Sequence, residues 1–459
     1  AQNATCNFWR GAENLAVSPT SAIDGGTDIW AVSQGTHLRR MHIKGNINLD
    51  DGGWSSGGFV ADSLIDGTIN SGSQQQFLTR NNDQNWAGGS WNMVFVGDGS
   101  APGSSWPNNS YSVVAKTPVV REKPFLYNDA AGHYLVMVPS LKSNSSGHSW
   151  ASGAAPGLPL AIDRFYIAKP TDTAASINAQ LSAGKHILFT PGIYHLEASL
   201  QVNNAGTILL GLGLATLIPT TATPAITVAD VDNVTVAGLL LEAGPQNSPT
   251  LLQLGPTGST KDHSAAPTAI MDLHCRIGGA DVGKAASCVI LNSNNVLIDN
   301  IWLWRADHGQ GNGTAGWTDN PSNNGIIVNG NNVTAYGLFV EHFQQWQTLW
   351  NGNGGSVYFY QSEMPYDPPN QAAWTDSNGH WGWASYKVGP NVTSHKGLGI
   401  GVYSVFTNDV VAENGIETPA SATMNHLVII SLANGEIQHV INDTFGPVGN
   451  GTQKATSSY

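Results

Sequence analysis

The sequence predicts an all-β protein made of two tandem right-handed parallel β-helices (solenoids), the first of them incomplete at its N-terminus. Three observations support this fold class. The 459 residues include 53 glycines, and charged residues make up only 11% of the chain, against roughly 25% in an average soluble domain. Short β-type runs recur along the chain, and helical segments are lacking between them. Such a sequence favours many short strands joined by tight turns.

A recurring strand is the clearest sign of a solenoid. It opens with Asn or Ser followed by Val, and each copy has two β-type stretches with a turn residue between them. The copies begin at Asn233, Asn295, Asn332 and Ser356, and the last two begin 24 residues apart. A period in the low twenties made of strands indicates a parallel β-helix. A leucine-rich repeat would carry Leu and Asn at fixed positions, which are missing here.

The chain divides into a first β-helix domain over 1–121, a connection over 122–168 and a second β-helix domain over 169–459. The connection is rich in Pro, Gly and Ser, as expected between domains. The second domain begins with a short amphipathic helix between Asp172 and Gly184, which we expect to cover the open end of its coils. Strand-like runs of the first domain lie near Leu38, Phe59, Phe77 and Met93.

The first domain has no such capping helix at its start, and Cys6 is left over among three cysteines. We therefore expect the chain to begin inside a longer protein. Its N-terminal part would be cleaved off, persist as a separate chain, or only be absent from this chain. Cys275 and Cys288 are close enough in sequence to close a short loop. We predict a disulfide between them, which suits an oxidising compartment.

Sequons for N-glycosylation also favour a secreted, extracellular protein, although an Asn- and Thr-rich chain produces several by chance. They lie at Asn3, Asn108, Asn144, Asn233, Asn312, Asn332, Asn391, Asn442 and Asn450. The chain has no stretch of about 18 apolar residues, so we expect no membrane span.

The charge balance restricts the partners. The net charge is −13 with only 19 Lys and Arg, and no clustered positive face for nucleic acid is apparent. The same scarcity of cations argues against polyanionic substrates such as pectate. The 15 Trp residues favour a neutral polysaccharide, because an indole offers a sugar ring an apolar platform and an N–H donor.

Glu341 and Glu363 are the candidate catalytic residues. They are 22 residues apart, which matches one coil, so their side chains should stack at the inter-strand spacing of roughly 4.8 Å. Two carboxyl groups in such contact acquire different pKa values, and glycoside hydrolysis requires a pair of this kind. Many aromatic residues surround them in the sequence. The alternative is an acidic ladder exposed on the outer face.

Successive motifs resemble glycoside hydrolase family 55, the two-domain β-helix β-1,3-glucanases. In the second half they are Trp302-Leu-Trp-Arg-Ala-Asp-His308, Val340-Glu-His-Phe and Gln361-Ser-Glu-Met-Pro-Tyr366. In the first half they are Trp30-Ala-Val-Ser-Gln-Gly-Thr-His-Leu, Ser56-Gly-Gly-Phe59 and Gln75-Gln-Phe-Leu-Thr-Arg-Asn81. The motifs follow one another in the order in which the family has them.

The resemblance implies a cleft between two side-by-side solenoids in which a neutral β-glucan is hydrolysed with inversion and without a cofactor. Glu363 would be the general acid. Glu341 would polarise the attacking water, assisted by Gln34 and Ser56. The residues expected to contact substrate or orient the site are Tyr366, Trp346, Trp350, Trp304, Asp307 and His342.

The sequence departs from the family pattern beside both carboxylates. Val340 replaces a small polar residue before the Glu-His pair, and Met364 replaces Thr or Ser after the acid. A glycine-rich insertion follows Trp350. These changes leave the two carboxylates in place but put the shape of the sugar subsites, and so the glucan linkage, in doubt.

Other functions remain open. A polysaccharide lyase would need a cationic or tyrosine base and usually calcium, a polygalacturonase-type hydrolase could use Asp50 and Asp51, and a non-catalytic β-helix would only bind carbohydrate. The pair Asp307 and His308 is catalytic, metal-binding or, as we favour, an anchor for a loop. The 14 histidines show no His-x-x-x-His spacing, and Cys-x-x-Cys is also missing, so we predict no metal site.

Overall fold

Two units, each built from parallel β-strands, make up the chain. The computed structural model describes residues 3–20, 25–449 and 451–459. The first unit extends to Ile162 and includes Leu398–Gly401, and the second takes in Asp163–Gly397 and Val402–Tyr459. Among the described residues, no helix has both the length and the apolar character needed to cross a membrane. The prediction of two parallel β-helices in tandem is confirmed.

Two parallel six-stranded sheets form the coils of the first unit. The strands of one sheet are Arg10–Glu13, Thr36–Arg39, Phe59–Ala61, Gln76–Arg80, Asn92–Val96 and Tyr111–Val114. Those of the other are Ala16–Val17, Thr27–Ile29, His42–Ile43, Asn46–Asn48, Leu64–Asn70 and Asp83–Ala87. The runs predicted near Leu38, Phe59, Phe77 and Met93 all lie in strands of the first sheet. Leu38, Phe77 and Met93 belong to one buried apolar core, and Phe59 packs against the guanidinium groups of Arg39 and Arg80 instead.

The segment 122–168, interpreted from its composition as a connection, contains ordered strands. Thr117–Val120 pairs with Lys142–Ser145, and a second antiparallel sheet joins Phe125–Asn128, Tyr134–Pro139 and Gly157–Ala161. A 3₁₀-helix over Ile162–Arg164 follows. Glu122, at the start of this segment, forms a bidentate ion pair with buried Arg80 (2.7 and 2.9 Å), which ties it to the first unit. The structure thus extends the first unit some forty residues beyond the predicted limit at 121.

The predicted helix follows the first strand of the second unit. It spans Ala174–Ser182, and Thr173 caps it by accepting a hydrogen bond from the Ser176 N–H. The chain leaves the helix through Gly184, whose φ of 80° suits a residue without a side chain. Ala174, Ile177 and Leu181 are buried against the first strands, so the helix covers the apolar end of the coils.

A twelve-stranded and a ten-stranded sheet form the coils of the second unit, and apart from the strands at the C-terminal end the pairings that define them are parallel. The twelve-stranded sheet contains Phe165–Ala168, His186–Phe189, Ile193–Leu196, Ile208–Pro219, Thr235–Glu242, Ala269–Ile277, Leu297–Arg305, Thr334–Glu341, Gly355–Glu363, His395–Ser404, Ala422–Ser431 and Gln453–Ser458. The ten-stranded sheet contains Leu200–Val202, Ile226–Val228, Leu252–Leu254, Ser287–Leu291, Asn324–Val328, Thr348–Trp350, Tyr386–Val388, Val411–Glu417, Glu436–Ile441 and Val448–Gly449. A second 3₁₀-helix, Gln371–Trp374, lies in the loop after Gly355–Glu363.

The Asn-Val openings that reveal the repeat are left-handed corners of the coils. Asn233, Asn295 and Asn332 have φ values of 63°, 57° and 55°, and each lies two residues before aligned positions of neighbouring strands. In the next coil Gly354, with a φ of 68°, takes the same place. Asn and Gly tolerate this conformation best, which explains why these residue types recur there.

A second left-handed position bends each long strand in its middle. It accounts for the turn residue expected between the two β-type stretches of every copy. The aligned residues are Gly238, Asp272, Asn300, Gly337 and Phe359, with φ between 46° and 72°. Phe359 is a bulky residue in a region that costs an L-amino acid about 1–2 kcal/mol, and it lies four residues before Glu363.

The cysteines and sequons can now be placed. Cys275 and Cys288 form the predicted disulfide, with their Cα atoms 6.2 Å apart, and Cys6 is exposed with a free thiol. Asn442 is half-buried, and its amide donates to the Thr418 carbonyl. Asn450 lies outside the described residues. The exposed sequon residues are Asn3, Asn108, Asn144, Asn233, Asn312, Asn332 and Asn391.

Candidate active site

Two glutamates from neighbouring coils stack at the ends of adjacent strands. Thr334–Glu341 pairs in parallel with Gly355–Glu363, and the register aligns Glu341 with Glu363. One oxygen of each carboxyl group and one ring nitrogen of His342 lie within 4.8 Å of one another. Glu341 is 2% exposed and Glu363 is 7% exposed. The predicted stacking is confirmed, and the alternative of an outward-facing acidic ladder is wrong.

Glu341 occupies the more enclosed position. Its Oε2 accepts a hydrogen bond of 2.8 Å from the Trp302 indole N–H. Burial raises the pKa of Glu341 well above its usual range, and the negative charge of Glu363 raises it further, whereas the contacts with Trp302 and Gln361 oppose the shift. Glu341 therefore keeps its proton to a higher pH than a free glutamic acid.

Glu363 is surrounded by hydrogen-bond donors. The Tyr366 hydroxyl donates to its Oε2 and the Tyr403 hydroxyl to its Oε1. The Gln361 side-chain amide lies 3.3 Å from the same Oε1. Burial and the charge of Glu363 raise the pKa of both tyrosines well above the usual range, so both hydroxyls keep their protons. Glu363 thus has a protonated hydroxyl donor at each of its two carboxyl oxygens.

A histidine connects the carboxylate pair to Asp307. The Nε2 of His342 lies 3.5 Å from Glu363 Oε2 and 3.8 Å from Asp307 Oδ1, and its Nδ1 is 3.2 Å from the Met364 carbonyl oxygen. Burial would raise the pKa of Asp307, but His342 and His308 outweigh burial and hold it well below its usual range. Asp307 therefore stays ionised beside His342.

His308 belongs to the rim of the site. Its Nδ1 lies 2.8 Å from Asp307 Oδ1, and that hydrogen bond raises the pKa of the exposed His308 ring. The ring also packs near Trp304, with ring centroids 5.2 Å apart. This geometry is consistent with the loop-anchoring interpretation of the Asp307–His308 pair.

Arg305 fixes the loops that carry these groups. Its buried guanidinium forms a bidentate ion pair with Asp367, at 3.0 and 2.9 Å. It also donates to the His342 carbonyl oxygen at 3.0 Å. One arginine thus holds the residue that follows Glu341 and the residue that follows Tyr366, so both sides of the carboxylate pair are pinned to one rigid group.

The aromatic residues predicted to bind sugar have different environments. Trp304 is the register partner of Glu341, is 5% exposed and stacks on Trp302 with ring centroids 5.3 Å apart. Trp346 is half-buried on the wall of a separate cavity. Trp350 requires a correction. It is completely buried and packs edge-on against His395, so its indole belongs to the core and has no surface to offer a sugar.

Gln34 and Ser56 lie in the first unit, and both are buried. The Ser56 hydroxyl donates to Gln34 Oε1 at 3.1 Å across the 22 residues that separate them. The two side chains therefore lie side by side although they are one coil length apart in the sequence. Their assistance to the attacking water stays a prediction.

Two contacts of the carboxylates escaped the sequence analysis. Tyr403 reaches Glu363 from 40 residues further along the chain, because a long loop separates the two strands, and spacing alone carries no signal for it. Trp302 stands two residues before Trp304 on the same strand. Side chains alternate along a strand, so Trp302 lies on the same face as Trp304. The alignment of Trp304 with Glu341 would therefore have placed Trp302 on the face that carries Glu341.

A metal ion could in principle bind at Glu341, His342 and Glu363, since within the described parts of the chain these groups are close enough together to share one. The donor set argues for another use. Both oxygens of Glu363 accept hydrogen bonds from tyrosine hydroxyls, and Glu341 accepts one from an indole N–H. A cation would have to displace these donors, so the arrangement suits a pair of acids that exchange a proton.

Comparisons with known proteins agree with this architecture. A sequence model of the LAM55 pectate lyase-like domain matches residues 165–363. An exo-β-1,3-glucanase of Streptomyces sp. (strain SirexAA-E / ActE) is 46% identical over 458 residues, which cover 98% of this chain and 74% of the relative.

Two solved structures of sacteLam55A from Streptomyces sp. SirexAA-E superimpose with a TM-score of 0.95. They are 45% and 46% identical to this chain and are matched over 100% of it and 83% of their own length. The second is a variant in which alanine replaces one glutamate, in complex with glucose. With this identity over nearly the whole of its length, the chain belongs to glycoside hydrolase family 55.

Proposed function

We propose that the protein hydrolyses β-1,3-glucan, with Glu363 as the general acid that protonates the leaving glycosidic oxygen. The observation that carries the proposal is the buried pair of Glu341 and Glu363 on neighbouring coils, whose carboxyl oxygens lie within 4.8 Å of each other. Such a pair holds one proton over a wide pH range, because two like charges at this distance repel each other. A donor with a retained proton is what cleavage of a glycosidic bond requires.

Accessibility supports Glu363 as the donor. It is the more exposed member of the pair, and its partner Tyr366 is half-buried rather than buried. Glu341 lies deeper and is bonded to Trp302. We infer that Glu341 stores the proton of the resting pair and that Glu363 delivers it when the substrate displaces the tyrosine hydroxyls.

The spacing bears on the water that attacks the anomeric carbon. Inverting glycosidases place their carboxyl groups about 6.5–9.5 Å apart to leave room for that water, whereas retaining enzymes use about 5–5.5 Å. The nearest oxygens of the pair here lie within 4.8 Å of each other, which is below the inverting range but still lets one water donate hydrogen bonds to both. Family membership favours inversion. We therefore propose inversion, with Glu363 as the proton donor.

The action is proposed to be exo, as in the Streptomyces relative named exo-β-1,3-glucanase, and the protein is proposed to be secreted. A disulfide in the second unit and seven exposed sequon residues support an extracellular enzyme. A neutral glucan also fits a chain of net charge −13, which would repel polyanionic polymers.

Glu363→Gln tests the proposal. A neutral isostere cannot donate the proton, so we expect glucose release from laminarin to fall by about two to four orders of magnitude while the circular dichroism spectrum is retained. Glu436→Gln, at a half-buried glutamate on another strand, is the matched control and should keep full activity. Unchanged turnover in the Glu363 variant would overturn the assignment.

The products distinguish the rival functions. A non-catalytic binding protein would release no reducing sugar, and a lyase would generate the absorbance of an unsaturated uronate from a polyuronate. Proton NMR of freshly formed product gives the stereochemistry. We expect the α anomer of glucose to appear first, and initial β-glucose would show that the enzyme retains configuration.

A further inference from the structure

A second cavity on the same unit is lined by none of the groups that surround the carboxylate pair. It has a volume of about 460 Å³, which falls within the range of small-molecule sites. Its floor comes from the strands Tyr386–Val388 and Val411–Glu417, and its walls come from loops that carry Trp346 and Trp383. We call it the Trp346/Trp383 cavity.

The indole of Trp383 is held in a fixed position. It packs against the fully buried Trp374, with ring centroids 6.5 Å apart. Gly382 donates its backbone N–H to the Trp374 carbonyl oxygen at 2.8 Å. A Cβ at Gly382 would lie 3.0 Å from the Trp374 ring, and its φ of 72° also favours glycine. The loop is therefore preorganised, and a ligand would not have to order it.

Both indoles keep their polar edge available. Trp346 and Trp383 are half-buried, and neither indole N–H has an acceptor within the described part of the chain. An indole with an open face and a free N–H suits a ligand with apolar C–H faces and hydroxyl acceptors. A sugar ring has both.

The charged groups of the cavity exclude an anionic ligand. Four carboxylates line it, those of Asp376, Glu413, Glu417 and Asp443. The cations are both already paired, Lys387 with Glu417 and His380 with Asp376. Phosphate, sulfate and uronate ligands would therefore be repelled. Carboxylates are strong acceptors for hydroxyl groups, and together with the two indole faces they fit a neutral polyol.

We propose that the Trp346/Trp383 cavity is a second, non-catalytic binding site for a neutral β-glucan chain. The identity of the glucan rests on the proposed function of the carboxylate pair. By holding one stretch of an insoluble or long chain, the site raises the effective concentration of polymer at the enzyme. It therefore matters for polymeric substrate and not for a short oligosaccharide.

Retention on insoluble β-1,3-glucan tests the inference directly. Glu363→Gln is used as the background, so that the polymer is not consumed. Trp383→Ala and, separately, Trp346→Ala should each weaken retention about five- to tenfold, as expected for loss of one aromatic anchor. Trp381→Ala is the matched control, since Trp381 is 44% exposed next to the cavity but does not line it. Its retention should equal that of the background protein.

Activity supplies a second readout in the otherwise wild-type enzyme. The ratio of kcat/KM on laminarin to kcat/KM on laminaritriose should fall about fivefold in the Trp383→Ala variant. Trp383→Phe keeps the packing on Trp374 and replaces the alanine variant if circular dichroism shows that the alanine variant is misfolded. Because the phenyl ring lacks the N–H, the retention of Trp383→Phe should lie between that of Trp383→Ala and that of the protein with Trp383.

The outcomes separate this inference from the proposed function. The second site is refuted if both cavity variants are retained as strongly as the background protein. It is also refuted if the Trp381 control loses as much retention as the cavity variants. Either result counts even if the enzyme is fully active. Conversely, a wild-type protein that is retained through Trp383 and Trp346 but releases no glucose from laminaritriose refutes the catalytic proposal and leaves the binding site in place.

Discussion

Replacing Glu341 by glutamine separates the two roles that this residue could have. The amide has the same shape and keeps an oxygen for the Trp302 N–H, but it carries neither the negative charge nor the proton. If Glu341 stores the proton of the pair, the variant depends on Glu363 alone, next to the donating hydroxyls of Tyr366 and Tyr403. Without the repulsion between two carboxylates, the site no longer holds its proton to as high a pH, so the alkaline limb of the activity profile moves towards acid.

The size of the shift follows from the carboxyl spacing. The nearest oxygens of the two groups lie within 4.8 Å of each other, and two unit charges at that limit repel each other by about 3.5 kcal/mol at an effective dielectric constant of about 20. At about 1.36 kcal/mol per pKa unit, this corresponds to roughly 2.5 pH units. The alkaline limb should therefore move down by about 2–3 pH units. At pH values above the shifted limb, the loss of activity should reach about two orders of magnitude.

The assay is kcat/KM on laminaritriose as a function of pH, for the wild type and Glu341→Gln. Activity that recovers as the pH is lowered supports proton storage. A uniform loss at every pH, with the alkaline limb unmoved, would mean that Glu341 acts on the attacking water, as the family resemblance first implied. A limb that moved to higher pH would refute the electrostatic reasoning altogether.

Two further predictions concern the stability of the second unit. Cys288→Ala opens a disulfide between residues 13 apart and should lower the free energy of unfolding by about 3 kcal/mol, whereas Cys6→Ala should leave it unchanged; equal values in denaturant titrations of the two variants would contradict this. Burial lowers the pKa of His395 to about 3, and its Nε2 lies 2.8 Å from the Tyr386 hydroxyl. Since the unfolded ring titrates near pH 6.5, its contribution to stability is complete above about 6.5 and is lost as the pH falls towards about 3. His395→Gln should flatten that acid-side decline, and parallel curves for the two proteins would show that other groups cause it.

The repeat could be predicted because its corners depend on local conformation. A left-handed corner favours Asn or Gly whatever the rest of the fold does, so Asn233, Asn295 and Asn332 mark the coils in the sequence itself. The same holds for the helix Ala174–Ser182, whose cap and terminal glycine are local signals. The stacking of Glu341 and Glu363 then followed from the coil length alone.

Features that depend on distant contacts could not be predicted. The strand Tyr134–Pro139 lies in a Pro- and Gly-rich segment, and it pairs Met137 with Pro159 and Pro139 with Gly157, so composition suggested a connection. Trp350 was expected to bind sugar, but the alternation of buried and half-buried residues over Thr348–Trp350 turns it inward. A single short strand does not reveal which of its faces meets the core.

The position of Tyr403 illustrates the same limit on a longer scale. It contacts Glu363 from the next coil, and the loop that includes Gln371–Trp374 lengthens their separation in the sequence to 40 residues. The motif around Glu363 reveals Tyr366, three residues away, but gives no information about a partner in the next coil. Of the two tyrosines that contact Glu363, the sequence therefore revealed Tyr366 but not Tyr403.

The left-handed corners also determine where such a scaffold can change. Because each corner restarts the strand at a fixed register, the chain between corners can lengthen without moving the rungs above or below. Loops of very different size, such as those before Asn324 and after Glu363, are thus inserted at no cost to the alignment of Glu341 with Glu363. Selection or engineering can rebuild the rim one loop at a time, and so alter which polymers are admitted, while the chemistry beneath it is left intact.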